Sequence, residues 1–136
     1  MCSEIIHHKT ETEWRNFYGR FKGKSLSATQ TDALLTEFVK YSLGNISLQE
    51  NPQRKKIKLS EIFNKKTIWL EIGFGGGEHL IHQARLYPDI GFIGCEPYQN
   101  GVAKLMAKLS ANPCQNIKLY DGDVRNIFDV LEKNSV

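Results

Sequence analysis

The spacing of apolar residues changes character twice along the chain. From Thr31 onward, Leu34, Leu35, Phe38, Val39 and Leu43 recur at helical spacing, which predicts one amphipathic helix N-capped by Thr31 and stopped at Gly44. Ahead of it, residues 1–30 keep no sustained period and hold Gly19 and Gly23 among several Ser and Thr, so an irregular arm is expected there. Residues 45–60 are polar and basic around Pro52 and read as a loop, a candidate mobile segment. After Lys66, short β-rich runs alternate with helical stretches. Thr67–Ile72, Ile90–Cys95 and Asn116–Tyr120 are the expected strands. Between and after them come a helix from Glu78 to Tyr87 that Pro88 ends, a helix with Val102, Leu105, Met106 and Leu109 at i, i+3, i+4 and i+7, and a last helix from Val124 to Leu131. The order β-α-β-α-β-α requires right-handed crossovers and a parallel sheet, an architecture whose ligand sites lie beyond the carboxyl ends of the strands. The chain thus divides into residues 1–66 (basic arm, helix and loop) and residues 67–136 (the α/β unit).

Composition narrows this picture. With 136 residues, 40% hydrophobic and 24% charged, there is material for one core, and disordered, fibrous and mucin-like classes are excluded. No apolar run approaches the roughly 18 residues of a membrane span, and no apolar segment follows Met1 as a signal peptide would, so a cytoplasmic protein is expected. Cys2, Cys95 and Cys114 lie far apart with no C-x-x-C pair, which indicates neither a disulfide framework nor a zinc site.

The net charge of +3 is unevenly spread: residues 1–66 carry 12 Lys/Arg against 7 Asp/Glu, residues 67–136 carry 6 against 8. Arg15, Arg20, Lys22 and Lys24 form one basic cluster, interleaved with Trp14, Phe17, Tyr18 and Phe21, and Arg54, Lys55, Lys56 and Lys58 form another. Such a pattern suits a phosphate backbone with bases stacked on aromatic faces, and it equally suits a solvated tail whose aromatics dock on the domain.

Three strand ends carry candidate chemistry. In Glu71-Ile72-Gly73-Phe74-Gly75-Gly76-Gly77, four glycines in five positions directly after a strand permit close backbone approach by a nucleotide-sized ligand, with a helix N-terminus behind them. The dinucleotide fingerprint fails because Glu78 stands where its third glycine belongs, and a Walker A loop fails for want of Gly-Lys-Ser/Thr; E-x-G-x-G-x-G is what fits. Glu96, 23 residues after Gly73 at the second strand end, suits a carboxylate accepting two ribose hydroxyls, or else one that simply faces the next helix dipole. At the third end, Asp121-Gly122-Asp123-Val124 places a carboxylate where an adenine amino group would lie, although turn or N-cap chemistry accounts for it equally well. His79 and His82, three apart on one helix, have no third ligand nearby for a metal, and no Ser-His-Asp or Cys-His arrangement is present.

The segments Leu70 to Leu80, Phe92 to Tyr98 and Gly101-Val102-Ala103 together resemble the tRNA (guanine-N7)-methyltransferase family, S-adenosylmethionine-dependent enzymes of Rossmann-like fold that modify guanine 46 of the tRNA variable loop. The resemblance is strongest over residues 68–125 and weaker over the basic segment 19–35. It implies that Glu71, Gly73, Gly75 and Gly77 follow the methionine part of S-adenosylmethionine, that Glu96 holds its ribose, and that Asp123 with Val124 frames its adenine. It also implies that Arg15, Arg20, Lys22 and Lys24 meet tRNA. The family continues to a fourth strand with a Phe-Pro-Asp-Pro-Trp-like motif bearing the catalytic Asp, and this chain stops at Val136 before it, so no catalytic residue is assigned. The expectation is therefore a shortened member carrying the cofactor-binding half of a partial Rossmann-like domain. By itself it would be inactive, and it would be a non-catalytic remnant or one part of a split enzyme whose second chain covers the open sheet edge.

Overall fold

The computed structural model describes residues 23–136 together with the backbone of two earlier strands, β1 (Ile6–Lys9) and β2 (Trp14–Phe17). These two pair antiparallel, Ile6 opposite Phe17 and Lys9 opposite Trp14, so the arm expected to be irregular contains a two-stranded sheet. Its residues offered no period-2 run long enough to reveal this, because four-residue strands carry too few alternations.

Helix α1 spans Ala28–Tyr41 and starts earlier than Thr31. Ser27 is the N-cap: its hydroxyl accepts from Gln30 N at 3.1 Å while Gln30 Oε1 accepts from Ser27 N at 2.9 Å, a complete capping box. Polar residues therefore set the start, with the cap at Ser27 seven positions before Leu34, the first residue of the apolar repeat. The helix also ends earlier, because Ser42 and Leu43 turn to the sheet, Leu43 N donating to Leu119 O at 2.8 Å. Gly44 still turns the chain, at φ +116°.

The segment expected to be a mobile loop is instead packed. Ile46, Leu48 and Asn51 are buried, a short helix α2 (Leu59–Ile62) closes it, and Ile57 bridges to Leu131. Arg54 is pinned to the last helix, where its guanidinium pairs with Asp129 and donates to Asn126 Oδ1, and Lys56 Nζ donates to the Asp129 carbonyl at 2.9 Å. These two side chains of the second basic cluster thus fasten the segment to the domain.

From Thr67 the alternation follows expectation: β3 (Thr67–Ile72), α3 (Glu78–Leu86), β4 (Ile90–Cys95), α4 (Gln99–Ala111), β5 (Ile117–Tyr120) and α5 (Val124–Val130). The strands are parallel in the order β3-β4-β5, with Trp69 opposite Phe92 and Gly94 opposite Leu119. On one face Leu80, Ile81 and Ala84 of α3, Val102, Leu105, Met106 and Leu109 of α4, and Ala33 of α1 form a core against Phe92, Ile117 and Leu119. On the other, Ile127 and Val130 of α5 with Leu43, Ile46, Leu59 and Phe63 cover Ile68, Ile93 and Cys95. Helices on both faces of a parallel sheet make this a partial Rossmann-like α/β fold. Among the described residues no strand pairs with the outer side of β3, where Trp69 and Ile72 are exposed. No helix among them is long and apolar enough to cross a membrane.

Candidate functional site

The strand ends of β3, β4 and β5 converge. After Ile72 the backbone turns through Gly73, Gly75 and Gly77 at φ +76°, +60° and +86°, a conformation that side-chain-bearing residues resist. A Cβ built on Gly73 or Gly75 meets no atom within 4 Å, so these two glycines border open space. Gly77 is different, because its Cβ would lie 2.5 Å from Leu105, and the loop there presses against α4.

Glu96, first residue after β4, is half-buried and reaches back to the loop: Oε1 accepts from Gly75 N at 2.8 Å and Oε2 from Tyr98 N at 3.1 Å. An ionised carboxylate has about four acceptor positions, so two remain for a ligand. Glu71, at the end of β3, contacts Nδ1 of His79 on α3, and both line an open cavity of about 470 Å³ with Trp69, Leu70, Ile72 and Gln83.

Asp123 is buried as the N-cap of α5, accepting from Arg125 N at 2.9 Å and ion-paired with the Arg125 guanidinium. Val124 packs against the core formed by α5 and the 43–63 segment. Asp121, on the turn between β5 and Asp123, has its carboxyl pushed above the ordinary range by burial and by the negative Glu50, with the Gln99 side chain hydrogen-bonded to it. The Cys95 thiol is pushed up to about 12, first by burial and then by the negative charges of Asp123, Glu96 and Asp121. Among the described residues no three His, Cys, Asp or Glu side chains are grouped to hold a metal ion.

A family model, described as a putative methyltransferase, matches residues 65–136, the whole stretch that builds these strand ends. The chain belongs to this methyltransferase family. Among curated proteins it is similar to the tRNA (guanine-N(7)-)-methyltransferase of Ruegeria sp. (strain TM1040), 46% identical over 129 residues, 95% of this chain and 51% of that protein. It is likewise similar to the proteins of that name from Jannaschia sp. (strain CCS1), 52% identical over 90% of this chain and 52% of that one, and from Chelativorans sp. (strain BNC1), 40% identical over 96% and 53%. The chain spans about half the length of the curated relatives it matches.

Of the residues singled out on the methyltransferase motif, Gly73, Gly75, Gly77 and Glu96 sit in one hydrogen-bonded unit, and Glu71 lies at its edge. Asp123 caps α5, with its carboxylate already engaged by Arg125. Of the basic cluster, Arg15 lies on β2, while Arg20 and Lys22 fall outside the described residues. Lys24 is exposed beside the site, because Asn100 in the first turn of α4 accepts from Gly23 N at 2.9 Å and donates to the Lys24 carbonyl.

Two residues acquire roles that the sequence left unassigned, Gly101 having entered only as part of the resemblance. Gly101 lets α4 approach the loop, and a Cβ there would lie 2.4 Å from Gly75 O. A glycine in the first turn of a helix is a signal of close approach, visible in sequence but without an indicated partner. Lys108, two turns on, donates to Gly76 O at 2.8 Å, and a lysine at a helix end carries no such signal.

Proposed function

We propose that residues 67–136 form the S-adenosylmethionine-binding half of a tRNA (guanine-N7)-methyltransferase, with residues 1–66 contributing a tRNA-facing arm. The observation that carries this reading is the loop 73–77: open space above two left-handed glycines, with the Glu96 carboxylate at the end of the neighbouring strand bonded to the loop. The donor set suits the cofactor's chemistry. Its ribose hydroxyls and α-ammonium are hydrogen-bond donors, and Glu96 and Glu71 are acceptors. Its amino-acid carboxylate suits the glycine loop and the N-terminus of α3.

When bound, S-adenosylmethionine supplies a methyl group on a sulfonium, reactive enough that the protein's work is alignment with the guanine N7 lone pair. Glu96 has two acceptor positions beyond those taken by Gly75 N and Tyr98 N, and we assign these to the ribose hydroxyls. Glu71, in contact with His79 Nδ1, is assigned to the methionine end. Asp123 and Val124 are assigned to the adenine side, with Asp123 held in place by Arg125. Lys24 and, with it, Arg15, Arg20 and Lys22 are assigned to tRNA phosphates, and the protein to the cytoplasm, where that substrate resides. Guanine 46 is the target that the family resemblance implies. Further protein, a second chain included, belongs on the outer edge of β3, whose Trp69 and Ile72 are otherwise exposed.

Calorimetric titration of S-adenosylhomocysteine tests the reading. The purified protein is expected to bind it, and Glu96→Ala to bind at least about tenfold more weakly, since charge-assisted hydrogen bonds contribute roughly 1.5–3 kcal/mol each. No binding by the unaltered protein overturns the cofactor reading. Equal binding by both overturns the ribose assignment alone.

A further inference from the structure

The glycine loop meets α4 at three successive residues. Gly75 O lies against Gly101, the Gly77 turn lies against Leu105, and Gly76 O accepts from Lys108 Nζ at 2.8 Å. The same ammonium donates to Glu78 Oε1 at 2.5 Å, in the first turn of α3. Gly76 lies between the two left-handed glycines 75 and 77, where the backbone has no side chain to restrict it. We propose that Lys108 is a positioning residue for ligand binding: it clamps the Gly76 carbonyl to α4 and neutralises Glu78 at the mouth of the site.

Two consequences follow from the geometry. In a trans peptide the carbonyl and the next N–H point opposite ways, so holding Gly76 O toward α4 fixes the direction of the Gly77 N–H, which donates to Phe74 O at 2.9 Å and closes the turn. The loop is then held in its ligand-ready shape before any ligand arrives, which reduces the ordering that binding would otherwise require. The second consequence is electrostatic. Glu78 sits at the N-terminus of α3, where an incoming carboxylate would be drawn by the helix dipole, and an unpaired Glu78 would repel that group. Lys108 beside Glu78 holds its carboxyl below the usual range, and the ammonium offsets the carboxylate's charge at the helix start. The ligand half of this inference rests on the proposed cofactor reading. The clamp itself does not.

The test compares the unaltered protein with Lys108→Met, which keeps the apolar stem, and Lys108→Arg, which keeps a cationic donor. Two readouts are needed: native-state hydrogen exchange of the loop amides without ligand, referenced to amides of α5, and calorimetric affinity for S-adenosylhomocysteine. Lys108→Met is expected to raise loop exchange and lower affinity, each about fivefold, with α5 exchange unchanged, and Lys108→Arg to restore most of both. The proposal is overturned if Lys108→Met leaves loop exchange unchanged, if affinity is unchanged despite faster loop exchange, or if loop and α5 exchange rise together as in a general loss of stability. Should the unaltered protein bind no S-adenosylhomocysteine, the cofactor reading and the ligand half fall together, while the exchange data still decide whether Lys108 clamps the loop.

Discussion

Replacing Gly101 by Ala adds one methyl group at the point where α4 comes nearest to the glycine loop. Its Cβ would lie 2.4 Å from Gly75 O, 3.0 Å from Gly75 C and 3.5 Å from Glu96 Cγ. Ordinary contact begins near 3.4 Å, so helix and loop must separate by about 1.0 Å. The helix is poorly placed to yield, since Val102, Leu105, Met106 and Leu109 are fully buried beneath it. The loop must therefore move, and a shift of that size at Gly75 breaks its 2.8 Å bond to Glu96. Overpacking of this kind costs about 1–3 kcal/mol, the broken bond to a carboxylate roughly 1.5 kcal/mol more, and the better helix propensity of Ala returns at most about 1 kcal/mol. Thermal unfolding of Gly101→Ala is expected to fall by roughly 5–10 °C, and affinity for S-adenosylhomocysteine at least about tenfold. Gly76→Ala is the matched control. Its Cβ meets only the flexible Glu78 carboxylate, at 3.1 Å, and its φ is not positive, so stability should change by less than about 0.5 kcal/mol. Equal Tm and affinity for Gly101→Ala and the unaltered protein would refute the close-approach reasoning, as would Gly76→Ala proving the more damaging of the two.

Asp121→Asn should stabilise the fold at neutral pH. The folded-state pKa is raised, first by burial and also by Glu50, so Asp121 contributes stability below its unfolded value and loses it as pH rises through the folded one. The Tm difference between variant and unaltered protein should therefore be largest near pH 7 and shrink toward pH 3, and a difference that grows on acidification contradicts the assignment. Changing Arg20, Lys22 and Lys24 together to Ala should weaken tRNA binding and reduce the log–log salt slope by about 0.7–0.9 for each phosphate that is no longer neutralised. An unaltered slope in a filter-binding titration would favour the solvated-tail reading of the arm.

The order and type of every element after Lys66 were legible in the chain itself, because each strand and helix there is bounded by residues with local physical meaning. Pro88 stops α3, the 73–77 glycines end β3, and the i, i+3, i+4, i+7 stripe of α4 admits one period only. The glycine-rich motif was legible for the same reason, since it lies in contiguous residues at a strand end. Local rules also contained the true start of α1, in Ser27 and Gln30, but a reading led by apolar spacing passed over the polar cap. What tertiary structure alone decided were pairings between residues distant in sequence. Arg54 reads as one more cation in a basic run until Asp129, 75 positions away, is brought against it, and the supposed loop becomes part of the core. Leu43 leaves its helix because the edge of β5 offers a hydrogen bond that continuing the helix would forgo. Gly101 and Lys108 acquire their roles only when α4 is laid beside the glycine loop, since a steric limit or a hydrogen bond exists between two groups and neither residue carries it alone.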